Sequence, residues 1–196
     1  LELLGRLPDS PERAEQELSL QLTLGMPLIA TEGYSAEAVG IAYMRARELC
    51  QQMGETPDLS EVLWGLWTFN FLRADLQTAR HIAAEFLELA ERQSHGMLAM
   101  RGHWALETTL IHIGEFASAL DHFEKALQLY DPSQHLEDAF RYAQNPGVGM
   151  PCHAAWALWF MGQPDQALKC IDEALGRARE LSEPHGRVHA LYFASI

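Results

Sequence analysis

Apolar residues recur along this chain three and four positions apart, the spacing of one face of an α-helix. Between Gly114 and Pro132, Phe116, Ala119, Leu120, Phe123, Ala126, Leu127 and Tyr130 fall on such a face. Similar stripes return at about 36–53 (Val39, Ala42, Tyr43, Ala46, Leu49, Cys50) and after Ala74 (Leu76, Ala79, Ala83, Phe86, Leu87, Ala90). A further one follows Gly162 (Ala167, Leu168, Ile171, Ala174, Leu175, Ala178, Leu181). Ahead of each striped helix lies another apolar helix. The pattern predicts pairs at about 10–53, 57–93, 97–131 and 151–181, and an incomplete fifth pair at 184–196.

Punctuation supports these boundaries. Ser10-Pro11-Glu12 is a helix start, with Ser capping free N–H groups, Pro suited to the first turn, and Glu at the positive end of the dipole. The first helix is expected to run to about Ala30, with Gly25 and Pro27 kinking or breaking it. Gly54 is its partner's C-terminal stop. The turn residues Gly33, Ala74, Gly114 and Gly162 recur at steps of 41, 40 and 48 residues. A small residue at the turn, an aromatic two later, small and large residues alternating down the second helix and a proline at the exit form the pattern of a tetratricopeptide repeat, whose usual period is about 34 residues. The expected fold is all-α: a TPR-like right-handed superhelix of about four antiparallel pairs, one domain over 1–196, each pair completing its core by stacking on the next. The longest step carries an insertion at 133–150, with a short helix candidate at Leu136–Tyr142 and a turn cluster from Gln144 to Gly149.

One position strains the pattern. Where the helices of a pair cross, the repeat expects a small residue; the fourth pair has Ala155, the third Glu107, the second Trp67. A buried Glu107 needs a partner or a proton. His103, one turn earlier, is the nearest candidate, and a local slip that exposes Glu107 is the alternative.

Composition narrows the chemistry. The net charge of −13 and scattered basic residues argue against nucleic acid and anionic membranes as partners. Three cysteines, Cys50, Cys152 and Cys170, without CxxC spacing suit a reducing, cytoplasmic setting better than a disulfide framework. No apolar run reaches the length a bilayer requires. His185 and His189 stand four apart, but two ligands do not make a zinc site, and no metal or other cofactor is expected. The chain has no Gly-x-Ser-x-Gly elbow and no phosphate-binding Gly-x-x-x-x-Gly-Lys loop. It starts at Leu1 and stops inside an apolar helical pattern, which reads as an excerpt of a longer protein.

All five tryptophans sit on first helices of pairs, the helices that line the concave side of such solenoids. On that register Trp64, Phe71, Trp104, His112, Trp156, Trp159 and Phe160 form a candidate groove for a peptide or partner helix. The competing reading has some of these rings filling the core between helices.

Three stretches carry a family resemblance: Gly54-Glu-Thr-Pro57 with Val62-Leu-Trp-Gly-Leu-Trp67 and Arg73-Ala-Asp-Leu-Gln-Thr-Ala-Arg80; Tyr130-Asp-Pro-Ser-Gln-His135; and Asn145-Pro-Gly-Val148 with Ala155-Trp-Ala-Leu-Trp159 and Gly162-Gln-Pro-Asp-Gln-Ala-Leu168. Together they resemble the C-terminal helical-repeat region of large bacterial signalling ATPases. Many of those carry a class III adenylate or guanylate cyclase domain and a STAND-type or AAA-like ATPase domain ahead of the repeats. The resemblance implies a non-enzymatic module that docks a protein or peptide partner, or other domains of the parent chain, and regulates the ATPase. It brings no catalytic residue into this segment. Ala74 and Glu107 stand where such repeats usually have glycine. The alternatives are a stand-alone peptide-binding adaptor that uses the aromatic groove, and an enzyme with a site at Glu107 and His103.

Overall fold

The computed structural model describes residues 4, 8–54, 56–132, 145–180 and 184–195. The expected short helix at Leu136–Tyr142 lies outside them. Every regular element among the described residues is an α-helix: α1 Pro11–Glu32, α2 Glu37–Met53, α3 Leu59–Leu72, α4 Leu76–Arg92, α5 Gly96–Ile113, α6 Phe116–Leu129, α7 Pro146–Phe160, α8 Pro164–Glu180 and α9 Pro184–Ala194. The all-α expectation holds.

Four tight turns share one hydrogen-bond scheme. After α3, α4, α5 and α7, the backbone enters the left-handed region at Ala74, Ser94, Gly114 and Gly162. The next residue's N–H then reaches back five positions: Asp75 to Asn70, His95 to Ala90, Glu115 to Leu110 and Gln163 to Leu158, each near 3 Å. This doubly bonded Schellman cap satisfies carbonyls that a helix end leaves open. Glycine takes the left-handed conformation at no steric cost, whereas Ala74 and Ser94 adopt it against a Cβ penalty.

Two helix ends differ from the sequence reading. Within the expected turn cluster, residues 146–149 are the first turn of α7, which begins at Pro146. Asn145 caps it by accepting the Gly147 N–H at 3.0 Å, and Pro146 fits the first helical position, where no N–H is needed. The other difference is α1, which continues through Gly25 and Pro27 without a break and ends at Glu32.

By packing, the chain divides into two units, one up to Phe86 and one from Leu87. In the first, all six residues of the α2 stripe are buried. Close contact between α2 and α3 depends on missing side chains. A Cβ at Gly65 would lie 2.2 Å from the Tyr43 ring, and one at Gly40 would lie 2.4 Å from Phe69. Arg45 ties α2 to α1 through both oxygens of Glu17, at 2.7 and 3.0 Å.

In the second unit, Val148, Cys152 and Ala155 of α7 pack with Ala167, Ile171 and Ala174 of α8, and with Ala190 and Phe193 of α9. Leu127 and Leu168, counted in the stripes, lie at their edges and are exposed. Pro151 lies within α7 and has no N–H for the Gly147 carbonyl one turn back. Arg177 of α8 donates to that oxygen at 3.2 Å, so the break in the ladder becomes a tie between helices.

Candidate functional site

The seven residues of the expected groove are split between the units. In the first, Trp64 and Phe71 stand on α3. Trp64 is buried, 4.8 Å from Trp67 and edge-on to Phe86 at 6.3 Å. Phe71 is half-buried and stacks on Trp67 at 5.5 Å. These rings pack within the unit, and Trp64 offers no open face.

In the second unit the rings part company. Trp104 is 1 % exposed. It fits because α7 has glycine opposite: a Cβ at Gly149 would come within 2.6 Å of the ring. Its indole N–H donates to Nδ1 of His153 at 3.3 Å, and the Thr108 hydroxyl contacts the same nitrogen at 3.0 Å. The indole donor makes that nitrogen an acceptor, so the neutral His153 ring carries its proton on Nε2. Burial holds His153 well below the ordinary histidine range, with His189 and His112 adding to the shift. Trp104 is therefore a core residue with its polar atom satisfied.

Trp156 is half-buried, 4.3 Å from Phe193 and 6.2 Å from both Tyr192 and His112. His112 is largely exposed, with Nδ1 2.8 Å from the Thr108 carbonyl. Beyond them the end of α7 is open. Trp159 is 54 % exposed and Phe160 61 %, although Phe160 stacks on Phe116 of α6 at 5.2 Å. Met161 and Leu168 continue the exposed apolar surface across the α7–α8 turn, and Val188, Leu191 and Tyr192 expose a face of α9.

Glu107 and His103 do not form the site considered from sequence. Glu107 is 0 % exposed, so the alternative of a slipped register that exposes it is wrong. Neither of its oxygens has a hydrogen-bond partner among the described residues, and burial raises its carboxyl well above the usual range. Burial thereby favours its protonated, uncharged form. Burial pushes the thiols of Cys152 and Cys170 up to about 12 and about 11. Protonated thiols of this kind are poor nucleophiles.

His103 turns instead toward α6, with Nδ1 2.9 Å from Nδ1 of His122 and ring centroids 5.1 Å apart. Burial, followed by the neighbouring His122 and Lys125, lowers His103 to about 4. These two histidines stand far apart in the sequence. Antiparallel packing across the Gly114 turn brings them together. Among the described residues, no three His, Cys, Asp or Glu side chains converge to hold a metal ion. None of the described helices is long and apolar enough to cross a membrane.

No family model matches the chain, and no curated protein does. Among solved structures, the crystal structure of MamA protein is similar over 87% of this chain and 96% of its own, with 13% identity and a TM-score of 0.43.

Proposed function

We propose that this chain is a non-enzymatic protein-interaction and regulatory module of a larger cytosolic signalling ATPase or nucleotide cyclase. The observation that supports the reading best is the exposed pair Trp159 and Phe160, continued by Met161 and Leu168. Large exposed apolar side chains beside one another are uncommon on a free surface and are typical of contact sites. The signalling context rests on the sequence resemblance alone. A stand-alone peptide-binding adaptor is the second reading, and the same exposed rings would serve it.

Two experiments test the proposal. The full reading frame should encode cyclase and P-loop segments ahead of Leu1; without them the adaptor reading takes over. Where an ATPase segment is encoded, it should bind the purified repeat chain and turn over more slowly in its presence. Trp159→Ala combined with Phe160→Ala should abolish both effects while helical circular dichroism is kept. Unchanged binding in that variant would remove the α7 end from the contact.

A further inference from the structure

We propose that His153 is an acid-operated latch for α9: on taking up a proton it releases α9 from α7 and uncovers the Trp156 ring, while α5 to α8 stay folded. The ring stands where three helices meet. Its Nδ1 accepts the Trp104 N–H of α5 at 3.3 Å, with the Thr108 hydroxyl at 3.0 Å. From α9, His189 lies edge-on to it at 5.7 Å and Phe193 at 4.9 Å. Phe193 also covers Trp156 at 4.3 Å, with Tyr192 6.2 Å away. One imidazole therefore touches both the seam that holds α5 to α7 and the contact that holds α9.

A proton changes the ring in two ways. It goes onto Nδ1, since Nε2 already carries one, and the acceptor of the indole N–H becomes a donor. The Thr108 hydroxyl can accept the new N–H, but the Trp104 N–H loses its acceptor. The ring also becomes a cation in a seam that leaves His153 only 7 % exposed. His112 of α5 and His189 of α9 are the titratable groups whose charge acts on it, both with the same sign. Glu107 of α5, in the uncharged form that burial favours, offers no countercharge, and no carboxylate of α8 or α9 among the described residues acts on His153. Water is what remains to stabilise the cation, and α9 is the helix whose departure admits it most readily. It is held by one stripe, Gly186, Ala190 and Phe193, while Val188, Leu191 and Tyr192 stay exposed. By contrast, α5 is buried without interruption from Trp104 to Ile111. Local opening falls on the element with the least buried surface.

The test is native-state hydrogen exchange of the purified chain, read by peptide mass spectrometry between about pH 7.5 and about pH 5.5, where histidine changes charge. After correction for the intrinsic pH dependence of exchange, protection of α9 should fall below about pH 6.5, by up to about tenfold for each pH unit. The sign follows from a ring that is held neutral while α9 is docked and takes up its proton once α9 leaves. The α9 amides should also exchange faster than those of α5 and α8. Low urea concentrations should speed α5 and α8 and leave α9 nearly unchanged, the mark of a local opening. His153→Gln keeps an acceptor for Trp104 and cannot be charged, so α9 should lose most of its pH dependence in that variant. The comparison of helices within the wild type stands even where the variant folds poorly. Protection of α9 that ignores pH, α9 exchanging at the rate and urea dependence of α5 and α8, or an undiminished pH dependence in His153→Gln would each overturn the proposal.

Discussion

The seam between α5 and α7 and the outer end of α7 are built from the same materials and end differently. Both hold a tryptophan on the first helix of a pair. Trp104 enters a slot left open by Gly149 and gives its N–H to His153. Trp159, three positions from the half-buried Trp156, has no such slot and is 54 % exposed. Helical spacing names the face on which a ring stands. Whether that face meets a packed neighbour or open solvent depends on the residue across from it, here a single glycine.

The largest effect should separate these two rings. Trp104→Ala should cost about 3–5 kcal/mol, because it leaves a cavity and strands the partners of the indole. Trp159→Ala should change stability by about 0.5 kcal/mol or less. Denaturant unfolding of both variants checks this, and equal losses would erase the distinction between seam and end.

The next effect sharpens the account of the seam itself. Glu107 sits at the helix-crossing position that Ala155 takes in the following pair, and its oxygens have no hydrogen-bond partner among the described residues. Glu107→Met should stabilise the fold by about 1–3 kcal/mol by removing an unsatisfied buried polar group. Because the folded-state pKa lies above the unfolded value, the wild type is unaffected below the ordinary carboxylate range and loses stability as pH rises from there to the folded value. Melting temperature against pH should show a decline in the wild type that sets in above the ordinary carboxylate range and is weaker in Glu107→Met.

His153 gives the opposite sign. Its folded-state pKa lies below the unfolded value, so the unfolded chain takes up the proton first. Stability should fall below about pH 6.5, by up to about 1.4 kcal/mol for each pH unit until the folded value is reached. His153→Gln keeps an acceptor for Trp104 and should flatten this acid limb, while Trp159→Ala should leave it in place.

The smallest effect lies at the turns. Ala74→Gly should gain about 0.5–1 kcal/mol by relieving a left-handed Cβ, whereas Gly114→Ala should lose a similar amount. Thermal melts of the two variants should move in opposite directions.

Much of the helix layout was legible because its signals are local. Ser10-Pro11 marked the start of α1, and Gly114 and Gly162 marked turns that the structure closes with Schellman caps. Ala74 was legible as a turn only through its place in the period. The start of α7 was misread because Asn-Pro-Gly serves equally as a turn or as a cap followed by a first-turn proline. The burial of Trp104 and the meeting of His103 with His122 were not legible, since both depend on which residue a second helix presents. Arg177 bonding to the carbonyl released by Pro151 is hidden for the same reason: the two lie on different helices.

The contrast between seam and surface can be read directly by fluorine NMR of the chain labelled with 5-fluorotryptophan, each resonance assigned by a Trp→Phe variant. A soluble paramagnetic agent should broaden Trp159 strongly and leave Trp104 sharp. Equal broadening of the two, or a protected Trp159 beside an accessible Trp104, would contradict the packing described for α5 and α7.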